Sequence, residues 1–355
     1  NPGGSVTVVL PALMGPSARP TEVFTFIGVK PGDELVVGRR TNLVSPSPAT
    51  LKLGLLPRGA TIDVRTSCGG NFQGPAAASV TLQIPTTCTA IDVFVSARTV
   101  NNAEIGTFYK SNVAVTAATI DVAAETFKPS KAHTFTLSNI PATTMAAQIT
   151  AQALAGTMQL SVPETTDLNF AAPLGTSRSG DIVLPDISAD VLMNTQMSRT
   201  SSSMQVVVER APLGPVTVDL TAAQIPWILS EPLFDAGGSQ FAWTESIDGT
   251  ADTVIANAQV ARPAVPPATQ DESWSHQVVA PHAIGQLRMP VLPVALSNFN
   301  AKTTDTVSVF LGLAKFPGGF DTIRAKAFVS NGVSTLLPTA GRVVISQYLA
   351  RRPVN

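Results

Sequence analysis

Thr61-Ile62-Asp63-Val64-Arg65-Thr66-Ser67-Cys68-Gly69-Gly70-Asn71 decides the class of this chain. Apolar and polar residues alternate through Thr66, then the run breaks at glycines. Strict period-two alternation marks a strand with one face buried and one solvated, and a glycine pair marks the turn that ends it. The same signature recurs at Ser79–Ile84 and at Ala90-Ile91-Asp92-Val93-Phe94-Val95-Ser96-Ala97. Cys68 closes the first run and Cys88 precedes the third, with one alternating run between them. That placement brings two strand ends within disulfide range and predicts a Cys68–Cys88 bond. Closing a loop of about 20 residues stabilises by roughly 3 kcal/mol in the chain-entropy treatment, and a disulfide implies an oxidising compartment.

Working outward, alternation dominates the whole chain and period-3.6 stretches are scarce. Strands are expected at Val6–Leu10, Glu22–Ile27, Glu34–Val37, Leu51–Leu55 and Ile105–Thr116. A turn at Pro31-Gly32-Asp33 suits proline at its fixed φ and glycine at positive φ. A second series runs Thr119–Ala124, Thr134–Ser138, Ala147–Ala153, Thr157–Val162, Asp181–Leu184 and Ser203–Glu209. Met145–Ala155 also contains good helix formers and is readable as helix. Asp186–Met197 reads as one short helical turn with Ser188 as its N-cap. A third series follows the Ala211-Pro212-Leu213-Gly214-Pro215 linker: Val216–Leu220, Ser239–Ile247, Thr253–Ala261, Ser273–Val279, Gly285–Met289, Thr306–Ala314, Thr322–Ser330 and Arg342–Leu349. The 28 prolines fall mostly at strand ends, where no ladder hydrogen bond is lost. These spacings predict an all-β chain of two or three antiparallel, immunoglobulin-like β-sandwich domains in tandem (1–118, 119–211 and 212–355), with helix under about 10%. Strand spacing is similar among them, without a strict sequence repeat.

Composition narrows the function. Of 355 residues 44% are apolar and 13% charged, and the net charge is -1. Nucleic acids and anionic membranes leave a basic footprint that is missing, so nucleic acid is not an expected partner. No apolar run reaches the length of a spanning helix; even the charge-free stretch Ala132–Pro163 is broken by threonine, glutamine and Pro141. The chain opens Asn1-Pro2-Gly3-Gly4 without a Met, a basic region or an apolar region, which predicts a processed mature form or a trimmed chain. With Arg exceeding Lys 15 to 8 and no Asn-x-Ser/Thr sequon, the texture resembles secreted or lipoprotein-type bacterial β-proteins. The expected location is therefore periplasm, outer-membrane surface or medium, with a lipid anchor preceding Asn1 as one form.

Catalytic and metal motifs are sparse. His276 and His282 have no third ligand near them in sequence, and Pro281 interrupts the strand they would share. Gly175-Thr176-Ser177-Arg178-Ser179-Gly180 has the wrong spacing for a nucleophile elbow and reads as a polar loop. Asp186-x3-Asp190 and Asp248-Gly249-Thr250-Ala251-Asp252 lack calcium-loop spacing and read as turn aspartates. No nucleotide or zinc-protease signature occurs, so neither cofactor, nor metal, nor catalytic residue is expected. The acids nearest the tryptophans are Glu231, Glu245, Asp271 and Glu272, which read as edge charges. The tryptophans Trp227, Trp243 and Trp274 all fall after residue 212. Phe241 and Trp243 share a strand face and are expected in the core. Trp227, Trp274 and His276 are the candidate ligand-binding residues, beside an exposed Arg262–Pro267 loop. The expected function is a non-enzymatic binding, adhesion or assembly module with a protein or glycan partner at the cell surface. The alternatives are a polysaccharide-binding protein or glycan hydrolase using the third domain, and a self-assembling coat or filament subunit.

Overall fold

The computed structural model describes residues 4–10, 21–33, 46–156, 158–162, 167–187, 190–221, 224–237, 239–264, 271–324 and 341–348. Among the described residues strands account for 59% and helix for 4%, in two short helices. The protein is all-β, as the alternation predicts. No helix among the described residues is long and apolar enough to cross a membrane.

The chain begins with a hairpin, β1 (Gly4–Leu10) and β2 (Thr21–Val29). The Pro31–Asp33 turn follows, with Gly32 at φ +91° and the Asp33 amide donating to the Lys30 carbonyl. Seven strands come next: β3 (Pro46–Lys52), β4 (Thr61–Thr66), β5 (Asn71–Pro75), β6 (Ser79–Pro85), β7 (Ala90–Arg98), β8 (Glu104–Ala114) and β9 (Thr119–Asp121). They form two sheets, ordered β6-β3-β9 and β5-β4-β7-β8, with β3 and β9 parallel. Leu51, Leu82 and Ile120 from one sheet and Ile62, Val64, Val93 and Val95 from the other share a core. Cys68 and Cys88 are disulfide-bonded across it, their Cα atoms 6.5 Å apart. β9, which pairs with β3, lies just beyond residue 118.

Eight further strands repeat this wiring: β10 (Lys131–Ser138), β11 (Ala146–Ala155), β12 (Met158–Leu160), β13 (Leu168–Ala171), β14 (Ser177–Leu184), β15 (Asp190–Ser198), β16 (Ser203–Pro212) and β17 (Val216–Asp219). As β3 pairs with β6 and β9, so β10 pairs antiparallel with β14 and parallel with β17. As β4 pairs with β5 and β7, so β11 pairs with β12, β13 and β15, and β15 carries β16 as β7 carries β8. The remaining strands are β18 (Leu233–Asp235), β19 (Gln240–Ala242), β20 (Thr253–Arg262), β21 (Glu272–Pro281), β22 (Gln286–Arg288), β23 (Thr306–Lys315) and β24 (Arg342–Tyr348). In them β19 pairs with β22, β20 with β21 and β23, and β23 with β24. This is the same scheme a third time, with β18 beside β19 where the parallel closing strand lay before.

Two edge pairings weld the later strands together. β16 pairs antiparallel with β24, and β2 adds in parallel to β21. The result is one 11-stranded sheet ordered β1-β2-β21-β20-β23-β24-β16-β15-β11-β12, with β13 also on β11. Residues on both sides of the expected 211/212 boundary therefore share a sheet. They also share a core, from Val23 through Phe135 and Trp243 to Val344.

Several local expectations are corrected. Met145–Ala155 is strand β11, not helix: Ala147, Ile149, Ala151 and Ala153 face the core on every second residue, and strands flank both its edges. Helix propensity is a weak prior that such pairing overrides. Asp186–Met197 holds strand β15 from Asp190 onward, because Val191, Met193 and Met197 alternate into the core; Ser188 lies outside the described residues. The supposed polar loop Gly175–Gly180 enters β14 at Ser177. Thr322–Arg324 lie in helix α1 (Gly319–Arg324) rather than a strand. Ser239–Ile247 yields only the three-residue β19. Beyond the expected strands, Asn71–Pro75 pairs with β4 as β5. The expected strand at 34–37, the segment 325–330 and the loop residues 265–267 lie outside the described residues.

Candidate functional site

The residues singled out by sequence are interior. Trp227, Trp243 and Trp274 are 2%, 7% and 4% exposed. Trp274, named as a candidate ligand-binding residue, offers no open ring, because the scaffold covers the sheet face that carries it. The Trp274 indole donates to the Phe299 carbonyl at 3.2 Å, meets the Phe299 ring edge-on, and has the Arg262 guanidinium 4.7 Å from its ring centre. Phe299 ends the 3₁₀ turn Val294–Phe299, which folds over β21. Trp243 donates to Glu245 at 2.7 Å, and Glu245 accepts also from His282, so this acid and this histidine are occupied in the interior. Asp271 accepts from the Ala264 amide, while Asp186 and Asp190 pair with Lys131 and Arg210. No group of three or more His, Cys, Asp or Glu side chains placed to hold a metal occurs among the described residues.

His276 does not approach His282 or an open cleft. It lies opposite Val23 and Ala258, uncharged neighbours on the adjoining strands. Its Nε2 is 2.8 Å from Thr25 Oγ1, which in turn is 3.0 Å from Thr7 Oγ1, while Nδ1 has no hydrogen-bond partner. Burial lowers its pKa from 6.5 to about 4. The unfolded chain therefore takes up a proton below about pH 6.5 that the folded chain refuses until about pH 4. Stability is expected to fall by roughly 3 kcal/mol as pH drops through that window, at 1.36 kcal/mol per unit. Urea titrations at pH 7, 5.5 and 4 check this. A His276→Leu chain should lose that share of the pH dependence, and an unchanged slope would refute the assignment.

The open polar site lies elsewhere, on the outer face of the β5-β4-β7-β8 sheet. Alternation sends Ile62, Val64 and Thr66 of β4 inward and leaves Thr61, Asp63 and Arg65 outward. Asn71 and Gln73 point out from β5, with Asn71 opposite Arg65 and Gln73 opposite Asp63. On β7, Ser96 lies opposite Asp63 on the other side. The other half of this face is covered by the neighbouring unit: Phe94 is buried with Ala153, Ala155, Met158 and Leu160, and Tyr109 packs at the margin. Glycine is required at this contact. Gly156, at φ +59°, turns β11 into β12 so close to Asp92 that a Cβ would sit 2.9 Å from its Oδ2. The Tyr109 phenol has its pKa pushed up to about 12 by burial and then by its hydrogen bond to Asp92 and that carboxylate's charge.

Where the covering stops, two adjoining clefts remain, both bordered by Asp63 and Gln73. The larger, about 670 Å³, runs over Arg65, Asn71 and Phe72 to Ser161 and Val162 of the neighbouring unit. The smaller, about 400 Å³, continues past Ser96 and Arg98 to Asn102. Arg65 donates from Nε and Nη2 to Asp63 Oδ2 at 3.2 and 3.0 Å. Among the described residues that leaves Asp63 Oδ1 and Arg65 Nη1 uncommitted, and there the Asn71 and Gln73 amides have no hydrogen bond from their side chains. Each of these residues reads in the sequence as an ordinary solvent-face position; only the sheet register and the neighbouring unit gather them. Comparison of the chain with models of known families and with curated proteins finds no match.

Proposed function

We propose that this chain is a non-enzymatic extracytoplasmic binding module built from tandem immunoglobulin-like sandwiches, and that its ligand surface is the polar cleft on the first sandwich. The observation that carries the reading is the pair of clefts at the junction of two units, where carboxylate, guanidinium and amide groups converge with bonding capacity unspent. Binding sites favour domain junctions and rigid scaffolds with a few convergent polar groups. The disulfide supports an oxidising location, at the cell surface or in the periplasm. None of the three histidines lines this cleft: His133 lies on β10, His276 bonds to Thr25 and His282 to Glu245.

Binding of the labelled chain to cell-envelope material of its source organism tests the reading. Saturable binding is expected for the native chain. A double charge change at Asp63→Lys and Gln73→Glu, both at outward positions, should weaken it at least about tenfold, roughly the loss of one charge-assisted hydrogen bond, with the melting temperature preserved. Binding that survives this variant would overturn the reading.

A further inference from the structure

We infer that the cleft over β4 and β5 takes an oligosaccharide through its hydroxyl groups; this deepens the binding reading above and rests on it. The chemistry of the lining selects the ligand class. Asp63 Oδ1 accepts, Arg65 Nη1 donates, and the Asn71 and Gln73 amides do both. Neighbouring planar groups that donate and accept side by side match a vicinal diol, each of whose hydroxyls also donates and accepts. The register places them two residues apart on facing strands, Asn71 against Arg65 and Gln73 against Asp63, so the two pairs stand roughly 6.6 Å apart along the cleft and each meets its own diol. The 670 Å³ of the larger cleft lies within the range of small-ligand sites. A peptide ligand would instead need apolar side-chain pockets, and here the lining is amide, carboxylate, guanidinium and hydroxyl except at Phe72 and Val162.

Phe72 alternates to the inner side of β5, against the sandwich core, and touches the cleft only at its border. It sits on the edge strand β5, where its ring lies across Gly74: a Cβ at residue 74 would stand 3.0 Å from Phe72 Cζ. The missing side chain at 74 lets the ring lie along the strand edge, half-buried, at the border of the cleft.

The test titrates the full chain with hexasaccharides of glucose, mannose, xylose and galacturonic acid. At least one should bind saturably, and its affinity should drop about tenfold in Gln73→Ala and in Asp63→Asn, both surface changes that leave the fold intact. Envelope material should lose its capacity for the chain after periodate, which cleaves vicinal diols, and keep it after protease. Absence of binding by all four hexasaccharides, or equal affinity of the native chain and both variants, overturns the inference. Envelope binding that depends on the cleft yet is destroyed by protease and indifferent to periodate removes the oligosaccharide while leaving the cleft as a binding site. Envelope binding indifferent to the cleft removes both.

Discussion

Replacing Trp274 by alanine is expected to destabilise the chain by about 3–5 kcal/mol, the range for truncating a large buried aromatic. The ring sits on β21, an interior strand of the 11-stranded sheet, and is 4% exposed. It also holds what lies over it: the indole N–H bonds to the Phe299 carbonyl and the Arg262 guanidinium rests on its face. Removing it leaves a cavity, an unpaired carbonyl and a cation without its platform. Trp274→Phe keeps most of the packing and should cost much less. Urea midpoints with unchanged slope measure both, and amide exchange should quicken across Val294–Phe299 in the alanine chain. A loss under about 1 kcal/mol would mean that the ring is an accessible anchor after all, at odds with its burial.

A comparable loss is expected from Asp305→Ala. The Asp305 side chain is 0% exposed and that of Arg262 13%. Arg262 donates from Nε to Oδ1 and from Nη2 to Oδ2 at 3.0 and 2.8 Å, and also bonds to the Asn298 and Asn300 carbonyls. Burial alone would raise the Asp305 pKa. The Arg262 hydrogen bond, the Lys302 amide and the charges of Arg262 and Lys302 outweigh it and hold the carboxyl below its ordinary value. Removing the carboxylate strands a largely buried guanidinium, which costs about 3–5 kcal/mol, whereas replacing both partners by apolar residues costs far less. Denaturation of Asp305→Ala and of an Arg262→Met, Asp305→Leu chain should therefore rank the single change as the more damaging. The reverse order would show that the pair carries net attraction rather than mutual compensation.

How much of this was legible follows from where each signal is written. The alternation in Thr61–Thr66, Ser79–Ile84 and Ala90–Ala97 is visible because one face of each strand is buried and the other is not. The disulfide was legible for the same reason: strand ends fix where Cys68 and Cys88 stand. Met145–Ala155 stayed open because alanine, glutamine and leucine suit either period, and the β13 and β15 pairings decide it. The threefold wiring leaves no trace in residue identity, since pairing satisfies any backbone amide and carbonyl whatever side chain accompanies them. Trp243 lies in the core as its strand face implies, but Trp227 and Trp274 are covered too, because alternation tells which residues share a face and not what covers that face.

By itself, then, the sequence determined the all-β class, most strand positions, the disulfide and the inventory of groups available for chemistry, because these depend on local period and on composition. Tertiary structure alone decided that β2 lies against β21 and β16 against β24, partners separated by roughly 250 and 140 residues, since a ladder forms wherever burial of both faces offsets the entropy of closing so long a loop. It also decided which polar face stays open. Phe94 and Ser96 stand on the same face of β7 as the cleft, yet the neighbouring unit buries Phe94 and stops short of Asp63, Arg65 and Gln73. Exposure is a property of what packs against a strand, and no pattern within the strand encodes it.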